Sequence, residues 1–137
     1  MLLLSRPFAG YPQSSEQVYV GVNSSVSVKQ LSPAQLRRIF TMRQNSWPNG
    51  DPITVFVLDT NNPYHQYFSK SVLDLFPYQL ERLWNKLVYS GQGERPIKVD
   101  NMTEMQDKVS QTQGSIGYFP IQDKLSNIHL INVKEDE

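Results

Sequence analysis

The chain has 137 residues, of which 39% are hydrophobic and 19% charged, and its 13 basic side chains balance 13 acidic ones. This length and composition predict a single globular domain with its own buried core. The balanced charge argues against a general affinity for nucleic acid or a membrane surface. The absence of cysteine excludes disulfides, thiolate catalysis and cysteine-ligated metals.

Residues 1–16 are predicted to form an N-terminal arm. The apolar run Leu2–Leu4 is followed at once by Ser5, Arg6 and Pro7, so it is too short for the core of a signal peptide or for a membrane span. The sequence therefore predicts no insertion into a membrane. Two interpretations of the start stay open: a cytosolic protein, or a mature chain whose leader was removed.

The first predicted strand contains alternating valines from Val18 to Val22. A polar turn made of Asn23, Ser24 and Ser25 follows it. The next signal is a helix start, in which Ser32 caps the helix, Pro33 takes the first helical position and Gln35 closes a capping box.

Arg37 and Arg38 of this helix are predicted to face solvent, with a basic ligand-binding patch as the less favoured interpretation. Trp47–Gly50 has the residues of a tight turn. We favour Trp47 as an anchor of this loop over Trp47 as a lid over the strand ends.

The stretch Pro52–Val72 organises the chain. Ile53–Leu58 is apolar on both faces, which is typical of a buried strand in an α/β sheet. Asp59–Asn62 is a polar turn, and Asn62 followed by Pro63 predicts the start of a helix that continues to Leu75. A polar turn between such a strand and a helix is where α/β proteins hold small ligands, especially anions.

The rest of the chain is predicted to contain two more helices and three extended segments. In order these are a helix over Pro77–Ser90 ended by Gly91, a short extended piece at Ile97–Val99, a helix capped by Asn101, a strand over Gly114–Phe119, and a last strand over Ile128–Val133. The acidic residues 135–137 are predicted to be a frayed tail.

Three segments, RIFTMRQNSWPNGDPITVFVLD, FSKSVLDLFPYQLERLWNKLVYSGQGERP and QGSIGYF, together resemble the phosphate ABC transporter substrate-binding protein family. The resemblance implies one lobe of a type II periplasmic binding protein. That is a three-layer α/β domain over residues 17–134, with a mixed central sheet of four to five strands and helices on both faces. It also implies a periplasmic location and an ABC permease as partner, while the residues themselves leave the cytoplasm open.

The turn after the central strand departs from the family pattern. Phosphate-binding members have Arg-Ser-Asp-Gly-Ser-Gly-Thr there, whereas this sequence has Leu58 at the arginine position, Pro63 at the second glycine and Tyr64 at the threonine. Leucine makes no charge-assisted contact with phosphate, Pro63 removes a backbone donor, and Asp59 adds a negative charge. The resemblance thus implies the scaffold of a phosphate binder without its arginine.

If the first and central strands are parallel, their turns lie at one end of the sheet and form a shared ligand site. The predicted ligand-binding residues are Asn23, Ser24, Ser25, Asp59, Thr60, Asn61, Asn62, Tyr64 and His65. The other interpretation is that these residues serve only as turn and cap residues, which Asn and Ser often do. His65 as a general base is a remote alternative, because the only other histidine is His129 and no metal site or catalytic triad is formed.

The leading hypothesis is a non-catalytic solute-binding domain for a small anion or polar solute, with no cofactor. The alternative is a module for protein interaction or homodimerisation that has lost ligand binding. This alternative rests on the surface that a single lobe would expose and that a two-lobed protein would cover with its second lobe.

Overall fold

The computed structural model describes residues 17–120 and 125–135. The predicted arm and residues 136–137 of the predicted tail lie outside this range. The elements are β1 (Val18–Asn23), β2 (Gln30–Leu31), α1 (Pro33–Phe40), β3 (Thr54–Val57), α2 (Pro63–Tyr67), a π-helical segment (Phe68–Val72), α3 (Pro77–Ser90), β4 (Ile97–Lys98), α4 (Met102–Gln111), β5 (Ser115–Pro120), β6 (Ile128–Leu130) and β7 (Asn132–Val133).

A five-stranded mixed sheet has the strand order β4-β3-β5-β1-β6. β3 is parallel to both β4 and β5, whereas β1 is antiparallel to β5 and β6. β2 and β7 form a separate two-stranded parallel sheet. The predicted mixed α/β architecture is therefore confirmed.

Helices cover both faces of the sheet, as β5 shows by the alternation of its side chains. Tyr118 faces one layer, where its ring lies 4.2 Å from Phe68 and 6.3 Å from Phe40. Gly117 faces α4 on the other side, and a Cβ at this position would lie 2.7 Å from the Met105 sulfur. The helix α4 approaches the sheet this closely only because residue 117 is glycine.

The predicted helix starts are confirmed. Ser32 accepts a hydrogen bond from the Gln35 N–H at 3.1 Å, and the Gln35 side chain accepts one from the Ser32 N–H at 2.8 Å. Asn62 caps α2 through the Tyr64 N–H, and Asn101 caps α4 through its own side-chain oxygen. Each cap satisfies a backbone donor that the helix leaves without a partner.

Trp47 is a loop anchor, as favoured from the sequence. Its side chain is buried, and its Nε1–H donates to the Gly114 carbonyl at 2.9 Å. Gly114 has φ +78°, so the loop before β3 is attached to a tight turn before β5.

Two elements differ from the sequence prediction. The helix after β3 widens into a π-helical segment, where the Leu73 N–H bonds to the Phe68 carbonyl five residues earlier. The predicted last strand is divided at Ile131, whose N–H bonds to Val20 in the large sheet, while the next N–H bonds to Lys29 beside the small sheet. In the described ranges, we find no helix with the length and apolarity to cross a membrane.

Candidate functional site

The carboxyl ends of β3, β4 and β5 lie at one edge of the sheet, because these three strands run in the same direction. The turn Asp59–Asn62 follows β3 at this edge. Lys98, the last residue of β4, reaches it with a distance of 3.1 Å from Nζ to the Asp59 carboxylate. We call Asp59–Asn62, Lys98 and the neighbouring pair Glu81–Arg95 the β3 rim.

The turn itself is held by hydrogen bonds from its own backbone. The Asp59 side chain accepts from the Asn61 N–H at 3.0 Å, the Asp59 carbonyl accepts from the Asn62 N–H at 2.9 Å, and the Asn62 side chain accepts from the Tyr64 N–H at 2.9 Å. Pro63 has no N–H to offer. These backbone donors are therefore not free to surround an anion.

A second charged pair borders the turn from α3 and the loop after it. Arg95 Nη2 donates to both carboxylate oxygens of Glu81 at 2.9 Å, and Arg95 Nη1 donates to the Asn85 side chain at 2.7 Å. Thr60 also donates to Glu81 at 2.9 Å, so this pair is attached to the turn. The Arg95 guanidinium lies 5.5 Å from the centre of the Trp84 ring, which fixes its orientation further.

Both carboxylates of the rim are ionised at neutral pH. The hydrogen bond from the Asn61 N–H, followed by the one from Lys98, lowers the pKa of Asp59 below its usual range. Burial acts to raise the pKa of Glu81, but hydrogen bonds from Arg95 and Thr60 outweigh it and leave the pKa lowered. Two negative and two positive side chains thus make the rim polar without a net charge.

Behind the turn lies a buried hydrogen-bonded pair, Tyr118 and His65. The Tyr118 oxygen accepts from the Leu58 N–H at 2.8 Å and lies 2.6 Å from His65 Nδ1. The Tyr118 hydroxyl is thus the hydrogen-bond partner of both the Leu58 amide and the His65 ring. Nε2 is buried and has no partner among residues 17–120 and 125–135.

Burial lowers the pKa of His65 to about 4, although the charges of Glu81 and Asp59 act in the opposite direction. The ring is fully buried and remains neutral at physiological pH. His65 therefore fixes Tyr118, which in turn holds the Leu58 amide at the start of the rim. It does not reach the solvent-exposed edge where a ligand would bind.

Comparison with known proteins was made at the level of sequence and of structure. No protein-family model matches the chain, and no curated protein matches it. Solved structures do match it. The chain has the fold of phosphate ABC transporter substrate-binding proteins. At 15 to 17% sequence identity, the likeness establishes the fold alone.

Three of these structures illustrate the likeness. A candidate phosphate ABC transporter substrate-binding protein from Clostridium perfringens, solved with bound phosphate, matches 85% of this chain with a TM-score of 0.68 and 15% identity. An ABC-type phosphate transport receptor from Vibrio cholerae matches 88% with a TM-score of 0.65 and 15% identity. PstS from Borrelia burgdorferi matches 85% with a TM-score of 0.62 and 17% identity. The matched regions cover 44%, 47% and 46% of those chains, respectively, so this chain corresponds to less than half of each.

Within this substrate-binding-protein fold, the prediction of one shared site for the two polar turns is wrong. β1 is antiparallel to β5, and Val22 and Val55 are both paired with Ile116 on either side of it. Asn23 therefore ends β1 at the edge where β3 begins, whereas Asp59 lies at the edge where β3 ends. The prediction assumed that β1 and β3 are parallel, whereas β1 runs antiparallel to β3.

The side chains of Asn23, Ser24 and Ser25 fasten the chain locally. Asn23 Nδ2 donates to the Val109 carbonyl at 2.7 Å, near the end of α4. Ser25 Oγ accepts from the Gly114 N–H at 2.9 Å, and Ser24 bonds to the side chain of Asn127. Ligand binding by these three residues is thus separate from the rim and stays an untested prediction.

The remaining predicted residues divide by position. Asp59, Thr60, Asn61 and Asn62 form the turn of the rim, whereas Tyr64 packs partly buried against the core and His65 lies beneath it. Sequence reasoning missed Lys98, Glu81 and Arg95. No spacing pattern joins residues 14 or 39 positions apart, so the sequence had no signal for these pairs.

Proposed function

We propose that this domain is a non-catalytic solute-binding domain that holds a small anion or polar solute at the β3 rim. The observation that carries the proposal is the fold shared with phosphate ABC transporter substrate-binding proteins over 85% of this chain. In open α/β sheets, ligands bind outside the carboxyl ends of the strands, and the β3 rim occupies that position.

The chemistry of the rim differs from a backbone cradle for phosphate. Leu58 supplies no charge, and the turn's N–H groups at Asn61, Asn62 and Tyr64 are already bonded. Lys98 and Arg95 are the cations within reach, with side chains 60% and 38% exposed. An anion therefore binds by drawing Lys98 or Arg95 partly away from its carboxylate.

Such a site has a definite expected behaviour. Exposed charges are screened by salt, so we expect the affinity for an anion to fall as ionic strength rises.

The solved neighbours are more than twice as long as the matched region, and a cleft closed from both sides would bury the ligand more fully. We extend their association with ABC transport to this chain as part of the proposal. A periplasmic location and delivery of the solute to an ABC permease follow from it.

A thermal-shift and calorimetric screen tests the proposal. Phosphate, sulfate, small carboxylates and neutral polar solutes are added to the wild-type domain, to Lys98→Met and to Lys86→Met. Lys86 is an exposed lysine on α3 that belongs to neither ion pair of the rim, so Lys86→Met is a matched loss of one charge. A ligand present at about 100 times its Kd stabilises a protein by about 2.7 kcal/mol.

We expect at least one anion to raise the melting temperature of the wild type and of Lys86→Met. Lys98→Met should lose this response, because Asp59 then repels the anion without compensation. The proposal fails if none of these solutes stabilises the wild type, or if Lys98→Met responds as the wild type does.

A further inference from the structure

A groove lined by three arginines is formed by α1, the residues just after it, Leu75 and α3, and it shares no lining residue with the β3 rim. It encloses about 370 Å³ and is lined by Ala34, Arg37, Arg38, Thr41, Arg43, Leu75 and Leu83. We call these residues the arginine groove. The proposed solute site uses none of them.

The end of α1 explains why the arginines gather here. Arg37 and Arg38 lie in its last turn. Met42 then adopts φ +66°, a left-handed conformation that reverses the chain, and the Arg43 N–H bonds back to the Arg38 carbonyl at 2.8 Å. This is the geometry of a helix C-terminal cap. The cap brings Arg43 next to Arg37 and Arg38, so that all three line the same groove.

The charges of these arginines are not neutralised within the described parts of the chain. The ion pairs of residues 17–120 and 125–135 are Glu81–Arg95 and Asp59–Lys98, both at the rim. Arg37 donates one hydrogen bond to the Leu73 carbonyl at 3.3 Å, whereas Arg38 and Arg43 are exposed. Three like charges around one depression attract an anionic group.

The groove borders a mixed surface with exposed aromatic rings. Leu75 lines both the arginine groove and a neighbouring depression of about 110 Å³ that also includes Lys70, Asp74, Phe76 and Gln79. Phe76 and Tyr78 are 54% and 59% exposed and stack with their ring centres 5.7 Å apart. Arginine and aromatic side chains are enriched in protein interfaces and at their energetic centres.

The shape and chemistry of the arginine groove favour one class of ligand over another. An inorganic anion would use the arginines but leave the leucines and aromatic rings without a function. An extended segment with carboxylates at one end and an apolar side chain at the other uses both the arginines and the leucines of the groove. We propose that the arginine groove binds an acidic segment of a partner protein, whose carboxylates contact Arg38 and Arg43 and whose apolar side chain packs on Leu75 and Leu83.

Fluorescence anisotropy with a labelled peptide of alternating glutamate and leucine tests this. The groove variant is Arg38→Glu with Arg43→Glu. The control is Lys29→Glu with Lys86→Glu, which makes the same change in net charge at two other exposed positions. Melting curves of both variants establish that they fold. We expect the groove variant to bind the peptide at least tenfold more weakly than the wild type and the control variant to bind it within twofold.

Two further probes sharpen the result. A lysine–leucine peptide should bind the groove variant better than the wild type. A glutamate–serine peptide should bind the wild type more weakly than the glutamate–leucine peptide does, because it has nothing to pack on the leucines. The proposal is overturned if the wild type does not bind the glutamate–leucine peptide saturably, or if both double variants lose binding equally. It is also overturned if the groove residues instead mediate binding to phosphatidylglycerol vesicles or the formation of a dimer.

Discussion

Replacing Tyr118 by Phe tests the buried support of the β3 rim. The ring of Tyr118 stacks on Phe68, and phenylalanine keeps that contact. Only the hydroxyl is lost, which accepts the Leu58 N–H and bonds to His65 Nδ1. Leu58 is 1% exposed and His65 fully buried, so water cannot easily replace the lost partner.

The expected loss of stability follows from the two buried groups, the Leu58 N–H and His65 Nδ1, that are left without a hydrogen-bond partner. A buried donor or acceptor without a hydrogen bond costs about 1–3 kcal/mol. Two of them predict a loss of about 2–4 kcal/mol in the free energy of unfolding, since removal of the buried hydroxyl itself offsets part of the cost. Leu58 leads directly into Asp59, so the same change should loosen the rim and weaken solute binding.

Urea denaturation followed by circular dichroism measures the effect on stability. Tyr89→Phe is the matched control, because it removes the same atom from a side chain that is 88% exposed. Its effect should stay within about 0.5 kcal/mol. A Tyr118→Phe protein as stable as the Tyr89→Phe control would refute the role given to this hydroxyl.

Four further predictions concern single positions. His65 has a pKa of about 4 in the folded protein against 6.5 normally, so the unfolded chain takes up a proton at this residue more readily than the folded protein. The free energy of unfolding should therefore be unaffected by His65 above about pH 6.5 and should decline by about 3 kcal/mol as pH falls to about 4. Urea titrations across this range should show a steeper loss for the wild type than for His65→Gln. Gly114→Ala should destabilise by about 3 kcal/mol or more, since φ is +78° and the new Cβ would lie 2.5 Å from the Pro52 carbonyl oxygen. Gly91→Ala, with φ +72° and open space around it, should cost only about 1 kcal/mol in the same assay. Asn101→Ala should cost about 1 kcal/mol through loss of the α4 cap, and the midpoint of urea unfolding should fall accordingly.

The helix starts could be predicted because capping depends on residues close in sequence. Ser32, Asn62 and Asn101 each bond to an N–H two or three residues ahead. The buried nature of β3 was equally visible, because apolar residues on both faces require covering layers on both sides. The family resemblance then predicted the fold that the structural comparison shows.

The position of the first polar turn could not be predicted in this way. The alternating pattern from Val18 to Val22 is the same in a parallel and an antiparallel strand, so it does not reveal the direction of β1. The charged pairs of the rim could not be predicted from the sequence for a related reason. Lys98 and Arg95 come from segments that meet the turn only through the tertiary fold, and local spacing carries no information about such contacts.

The most direct test of the account is an amide NMR titration of the isotope-labelled domain with phosphate, sulfate and succinate. The account predicts saturable shifts concentrated at Asp59–Asn62 and Lys98 for at least one of these anions, with smaller shifts elsewhere. Saturable shifts confined to Asn23–Ser25 or to the arginine groove, or none with any of the three, would contradict a solute site at the β3 rim.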